Sequence, residues 1–419
     1  MPGLNITSEI GNLKRVILHT PGPEVEAMTP REAVEDLYND ILLLEAVKAE
    51  HDQLKSFLGL VAEVSELKDL LAESLVSPGN RFEFLTALSG LCPIKVRIDE
   101  LMALSPVELA GAAIEGLPAH PGSLAYRNCG RAFSMRPLPN SYFMRDTAAV
   151  VRDYAIASPV AFDVRLVESI ITRFIFTHHP GMRAKGLLLD GPKERNRYVT
   201  LEGGDVLVMA RNVLAIGISG RTTPDAIEAL AKSAGRVFEE PFTVLAVVLP
   251  RERATIHLDM VFTMIDRDAA LVYAPVVTGR DRARVFRLDI SHAGVDRIEE
   301  EEGGLLPALK RLGHDLEPVP CGGGDLLFGE REQWWSGANS FAFGPGRIVM
   351  YSCNVRTLDA LSAVGFEVKR ASEMLPVDGR AAVDPTSYRR LVVGFDGIEL
   401  ARGGGGARCM TLPVEREEL

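Results

Sequence analysis

A recurrence constrains this chain more than any other feature. A polar motif ending in Asp or Cys is followed at once by apolar residues, then usually by a tight turn and a second apolar run. It occurs as Asn140-Ser-Tyr-Phe-Met-Arg-Asp146 before TAAVV, as Glu202-Gly-Gly-Asp205 before VLVMARNVLAIG and as His257-Leu-Asp259 before MVFTMIDRDAALVY. It returns as Gly322-Gly-Gly-Asp325 before LLFG and as Arg408-Cys409 before MTLPV. The steps from Asp146 to Asp205, Asp259, Asp325 and Cys409 are 59, 54, 66 and 84 residues, and helix-patterned stretches such as PDAIEALAKSAG and TLDALSAVG fill the gaps. A strand-hairpin-helix unit repeated at roughly that interval predicts a radial array of modules. Equivalent strand starts in such an array point at one axis, so Asp146, Glu202, Asp205, His257, Asp259, Asp325 and Cys409 are expected to meet. For Asp205 and Asp325 the alternative is that they only mark hairpin entries, a common use of Asp.

The region upstream has a different texture. IGNLKRVILHT ends in a strand-like run broken by Pro21-Gly22-Pro23. Leu44, Val47, Leu54 and Leu58 then fall at helical spacing, which predicts a long amphipathic helix over about 40–58, with His51 expected at its surface or as a cap. From about Leu67 to Leu117 strand signals vanish and helical segments follow one another, punctuated by Pro and Gly. These features predict a catalytic α/β domain over 1–66 and 129–419, interrupted by a helical insertion over 67–128.

Composition excludes several classes. With 419 residues and 47% apolar content the chain can bury a large core. Its five cysteines, Cys92, Cys129, Cys321, Cys353 and Cys409, are odd in number and lack C-x-x-C spacing. This argues against a disulfide framework or a structural zinc site and for a reducing, cytoplasmic setting, with Cys92 expected in the core. The N-terminal residues carry no signal-peptide pattern and no apolar run approaches the roughly 20 residues of a membrane span. A net charge of -11 without any basic block disfavours nucleic acid and mildly favours a small cation.

The chemistry starts at Cys409. Four glycines, Gly403 to Gly406, precede it, which reads as a pliable loop delivering a thiol. A cysteine nucleophile pairs naturally with His257 as general acid/base, and Glu202 can fix the imidazole. Asp146 and Asp259 beside a thiolate would raise its pKa, which is counterproductive unless the reacting end of the substrate is a cation. A guanidinium meets that need, since it is always charged and presents a donor fork that carboxylates match. Attack of sulfur on the guanidinium carbon, loss of ammonia and hydrolysis of the thioether would follow. Zinc is the rival use of Cys, His and Asp, disfavoured by a single Cys and ligands spread over 100 residues.

These strings together resemble the bacterial arginine deiminases of the guanidine-group-modifying superfamily. The likeness runs from SEIGNLKRVILHTPG through EAVKAEHD, PLPNSYFMRD, LEGGDV, IGISGRTT, HLDMVF, GGGDLLFGEREQW and PGRIVMYSCNVRT to RGGGGARCM. It implies a five-bladed pseudo-symmetric α/β propeller of ββαβ modules with an inserted helical domain, converting L-arginine to L-citrulline and ammonia without cofactor or metal. It also implies Cys409 as nucleophile, His257 as acid/base, Glu202 as its partner, Asp146 and Asp259 as guanidinium ligands, and Asn140, Arg165 and Arg221 at the substrate carboxylate. Asp205 is expected beside the substrate as well, and a homo-oligomer is expected because related enzymes are often dimers or larger. Two departures stand out. Gly404 and Ala407 replace an Arg and a Pro common before the terminal cysteine, and Trp334, Trp335 and Ser336 stand near usually acidic positions. An amidinotransferase, a deiminase of a related guanidine, or an arginine sensor that binds without turnover are the alternatives.

Overall fold

The computed structural model describes residues 3–38, 40–91, 97–122, 124–129, 132–376 and 383–419. Cys92 lies outside them. The fold is mixed α/β, and the described strands form five sheets of three or more strands plus a two-stranded ribbon.

The five larger sheets share one wiring. Ala148–Val151 pairs antiparallel with Tyr154–Ala157, which runs parallel to Leu187–Asp190 after the crossover helix Leu166–His178. The same sequence of pairings joins Val206–Ala210, Val213–Ile218 and Phe242–Val248 across the helix Pro224–Val237. It recurs in Phe262–Asp266, Ala269–Val272 and Glu317–Pro320, and in Phe341–Gly344, Arg347–Tyr351 and Leu391–Phe395. In the fifth sheet the centre strand Leu13–Leu18 runs parallel to Glu63–Glu66 and antiparallel to Leu412–Arg416. The first and last strands of the chain therefore lie side by side, and the strand after Cys409 is locked to the strand that opens the protein.

Local sequence explains the pieces. Strands such as Val213–Ile218 are buried almost throughout, as parallel strands covered on both faces must be. Helix Pro224–Val237 starts at Thr223, whose hydroxyl accepts from the Ala226 amide, with Pro in its first turn. It buries Ile227, Leu230, Ala231 and Ala234 at helical spacing, enough to anchor a 14-residue helix. The helices Leu67–Ser74, Pro78–Ser89, Ile98–Met102 and Pro106–Ile114 share one apolar cluster with Val150, Ile171 and Phe174, and the Phe84 and Phe174 rings stand 5.1 Å apart.

Two expectations are corrected. His51 is not a surface residue: it is fully buried in helix Leu44–Leu58, on the face shared with Val47, Leu54 and Leu58. Both ring nitrogens lack partners and burial pushes its pKa down to about 3, so it packs as a neutral ring. Asp325 is not at a strand entry. It is exposed and caps helix Leu326–Trp334, accepting from the Phe328 amide at 3.0 Å, and the next hairpin begins only at Phe341. Asp followed by a free amide three residues on is an N-cap signature, which outcompetes the strand reading of LLFG. No helix among the described residues is long and apolar enough to cross a membrane.

Candidate active site

The repeated strand entries do deliver polar groups to one place. Asp146 sits in the turn Met144–Thr147 directly before Ala148–Val151, and Glu202 precedes the turn Gly203–Asp205 that leads into Val206–Ala210. His257 and Asp259 occupy the turn before Phe262–Asp266, and Cys409 lies three residues before Leu412–Arg416. A cavity of about 280 Å³ is lined by Asp146, His257 and Cys409, with Asn140, Arg165, Arg221, Arg253, Phe143 and Gly403 to Gly405 around it. Its volume suits a single amino acid.

His257 is bonded at one nitrogen and faces a carboxylate beyond hydrogen-bond range at the other. Its Nε2 is 2.9 Å from Glu202 Oε2, and Nδ1 is 3.6 Å from Asp146 Oδ1. Burial pulls its pKa down, but Asp146 and the bond to Glu202 outweigh it and raise the pKa to about 9. The imidazolium is thus the resting form at neutral pH. Glu202 in turn accepts from Arg221 Nη1 at 3.1 Å; burial opposes its ionisation, yet Arg221 and His257 hold its pKa far below the usual carboxylate range.

Each of the two aspartates is gripped by an arginine on one oxygen and bare on the other. Arg165 Nη1 donates to Asp146 Oδ2, and Arg408 Nη1 donates to Asp259 Oδ2 at 2.8 Å. Asp146 Oδ1, Asp259 Oδ1 and His257 Nδ1 are buried and have no hydrogen-bond partner. Unsatisfied buried acceptors cost about 1–3 kcal/mol each, more when charged, so the two bare carboxylate oxygens call for a ligand rich in donors, while the bare Nδ1–H of the imidazolium is itself a donor. Cys409 Sγ lies 3.9 Å from Asp259 Oδ2. Burial, then Asp259 and Asp146, push its pKa well above that of an ordinary thiol. A cation bound between the aspartates would reverse the charge effect.

The glycines before Cys409 serve close packing more than freedom. Only Gly404 has a left-handed φ, at 92°. A Cβ on Gly403 would strike the Tyr142 hydroxyl, one on Gly405 the Phe143 ring, and one on Gly406 would approach Asn339 Oδ1 to 2.7 Å. Tyr351 donates to the Gly405 carbonyl at 2.8 Å. Asn339 Oδ1 accepts from the amides of Arg408 and Cys409 at 3.0 and 3.2 Å, while its Nδ2 donates to the Asp259 carbonyl at 3.0 Å. One amide thereby spans the loops that carry Cys409 and Asp259. Asn339 is the residue that the Phe341–Gly344 sheet contributes, in the place expected of Asp325.

Some expected site residues stand elsewhere or face inward. Like Glu202 and Asp259, Asp205 lies behind the cavity lining; unlike the bare Asp259 Oδ1, both its oxygens are satisfied, accepting from Ser219 Oγ at 2.7 Å and the Leu258 amide at 2.8 Å, and burial raises its pKa to about 6. It fixes the backbone beside His257. Arg165 borders the cavity, but besides Asp146 it donates to Glu168 and to the carbonyls of Asn140 and Phe143, so its fork is occupied by the protein. Asn140 is buried with its Nδ2 on the Asp36 carbonyl at 2.8 Å. Arg221 lies at the rim with its guanidinium 4.7 Å from the Phe162 ring centroid. Arg408, Glu9 and Asn339 were not anticipated. Glu9 binds Arg408 through both oxygens at 2.9 and 3.1 Å from 399 positions away, a pairing no local motif announces.

Asp146, Glu202 and His257 are close enough to hold a metal ion among the described residues. Two of these ligands already pair with guanidinium groups, Asp146 with Arg165 and Glu202 with Arg221, and two cations so near oppose a third.

A family model described as arginine deiminase matches residues 118–416. The chain belongs to the arginine deiminase family. It is 33% identical to an arginine deiminase of Lactococcus lactis subsp. cremoris, covering 100% of this chain and 99% of that one. It is 34% identical to an arginine deiminase of Limosilactobacillus fermentum, covering 99% of each. Among solved structures, an amidinotransferase of saxitoxin biosynthesis from Microseira wollei aligns with a TM-score of 0.56 at 13% identity over 99% of this chain and 98% of that one. The N-terminal domain of ArgZ, solved covalently bound to a reaction intermediate, aligns with a TM-score of 0.51 at 14% identity over 96% and 98%. At such identities the likeness concerns the fold, which this arginine deiminase family member shares with both.

Proposed function

We infer that the protein hydrolyses L-arginine to L-citrulline and ammonia through a covalent adduct on Cys409. The observation that carries this reading is the set of bare buried atoms, Asp146 Oδ1, Asp259 Oδ1 and His257 Nδ1, beside a thiol whose ionisation the same carboxylates suppress. A guanidinium satisfies the carboxylates and, being cationic, favours the thiolate, so binding of the substrate releases the thiol proton to bulk water, where the ammonia released later takes it up as ammonium. Activation is thereby tied to the correct ligand.

In the first half-reaction Sγ bonds to the guanidinium carbon. His257, already protonated, gives its proton to a terminal nitrogen, and that C–N bond breaks to release ammonia. In the second half neutral His257 takes a proton from water as the oxygen bonds to the same carbon. The C–S bond then breaks, the hydroxyl becomes the citrulline carbonyl, and its proton restores the thiol. Glu202 holds the imidazole for both transfers. Arg165 and Arg408 act as positioning residues that aim Asp146 and Asp259, Asp205 positions the His257 segment, and Asn140 and Arg221 lie where the amino-acid end of the substrate would rest.

The five like-wired sheets, with first and last strands paired, support a ring of five blades around this site, with 67–128 as a helical insertion and 1–66 plus 129–419 as the catalytic unit. The free thiols Cys321, Cys353 and Cys409 suit a reducing cytoplasm.

Incubating purified protein with L-arginine and quantifying ammonia, citrulline and ornithine tests the reaction. Equimolar citrulline and ammonia are expected. Ornithine with a new guanidino compound, formed only when an amine acceptor is supplied, would instead indicate amidino transfer, and saturable binding without any product would indicate a sensor.

A further inference from the structure

Three arginines border the cavity, and two of them are paired with acids. Arg165 is bound by Asp146 and Glu168 and Arg221 by Glu202, whereas Arg253 has no carboxylate within ion-pair range among the described residues. Its Nη1 is sealed from solvent and unpartnered, and its Nη2 makes only a long contact, 3.4 Å, to the Arg402 carbonyl. Burial without an anion pulls its pKa down. A half-buried guanidinium lacking an anion is the kind of vacancy that a ligand carboxylate fills bidentately.

Its position suits that task. The guanidinium lies 5.1 Å from the Trp334 ring centroid, which steers the side chain. A Cβ on Gly404 would come within 2.9 Å of Arg253 Nη2, so the bare glycine leaves the space the guanidinium uses. The next residue, Gly405, lies against Cys409, where its Cβ would be 3.0 Å from the Cys409 Cβ. The Arg253 guanidinium and Cys409 thus border consecutive residues of one loop, Gly404 and Gly405, in the lining of the same cavity.

We propose that Arg253 is a further residue, beside Asn140 and Arg221, that reads the carboxylate end of the substrate, selecting a guanidino amino acid over a guanidine that lacks a carboxylate. This rests on the deiminase reading. Arg253 touches neither Asp146, Asp259 nor His257 through any hydrogen bond or ion pair, so it acts on binding and selection, not on the bond-making step.

Steady-state kinetics of wild type and Arg253→Gln with L-arginine and with agmatine, its decarboxylated counterpart, decide the matter. The variant should raise KM for L-arginine by about 10-fold or more with kcat within a few-fold, leave kcat/KM for agmatine unchanged or higher, and so collapse the preference between the two. Equal losses on both substrates, or an unchanged KM for L-arginine, would overturn the proposal. Should Arg253→Gln lower the melting temperature sharply, Arg253→Lys takes its place, with a several-fold rise in KM expected and an unchanged KM counting against it. Failure of the wild type to turn over L-arginine would refute the deiminase reading instead. Calorimetric binding of L-arginine and agmatine to wild type and Arg253→Gln would then judge Arg253 by the same ratio.

Discussion

Replacing Cys409 with serine should lower kcat for citrulline formation by about 10⁴-fold or more, because a hydroxyl flanked by two carboxylates has no route to an alkoxide. The thiol is weak in the free enzyme as well, since burial and the charges of Asp259 and Asp146 hold it protonated. Sulfur is rescued by the arriving guanidinium, whereas a hydroxyl starts several pKa units higher and the same cation cannot close that gap. The substitution introduces no clash, as oxygen is smaller than sulfur, and it loses only a little packing within the buried cluster that Cys409 shares with Phe143, Met260, Tyr351 and Met410. Melting temperature and L-arginine affinity should therefore stay near those of the wild type. A folded Cys409→Ser variant retaining more than a few per cent of the wild-type kcat would show that sulfur is not the attacking atom.

Asp259→Asn should move two properties of one residue in opposite directions. Asparagine cannot supply the negative charge facing the substrate, and kcat/KM for L-arginine should fall by about 10³-fold. The same change removes a charge 3.9 Å from Sγ that helps hold the thiol protonated. The Cys409 pKa should fall and alkylation by iodoacetamide, a neutral probe, should become several-fold faster at neutral pH. Arg408 keeps Glu9 as a partner and can still donate to the asparagine oxygen, so the loss of one acid need not leave a buried guanidinium stranded, an outcome that typically costs about 3–5 kcal/mol. Slower or unchanged alkylation in a folded variant would mean that Asp259 does not set the state of the thiol. Impaired turnover together with a more reactive thiol is the combination that substrate-dependent activation requires.

Much of this site is legible in the sequence, for a physical reason. Modules that repeat place their functional groups at equivalent strand starts, so Asp146, Glu202, His257, Asp259 and Cys409 could be grouped although 263 residues separate the first from the last. What the repeat does not encode is the support behind those groups. Arg408 grips Asp259 and is itself held by Glu9, and the contact exists only because the strand after Cys409 pairs with the strand after Glu9. Asn339 escaped notice because Asp325 carried the expected motif, yet that aspartate answers a local need, the free amides of a helix start. Arg165 and Arg221, expected at the substrate carboxylate, line the cavity, but a sequence does not reveal that a neighbouring acid such as Glu168 has already claimed the guanidinium. The glycines before Cys409 mislead in a similar way. Read alone they suggest freedom, while their neighbours Tyr142, Phe143 and Asn339 leave no room for a side chain.

The most direct measurement is the mass of the enzyme caught in mid-reaction. Wild-type protein turning over L-arginine is quenched in acid and weighed intact, and the modified peptide is then sequenced. Since the first step expels ammonia and keeps the remainder of the substrate on sulfur, Cys409 should gain the mass of arginine less ammonia, and Cys409→Ser should gain nothing. A gain equal to arginine less ornithine would assign the amidino-transfer reaction to the same cysteine. Full citrulline production with no adduct on Cys409 at any quench time, or an adduct on another residue, would contradict the covalent mechanism.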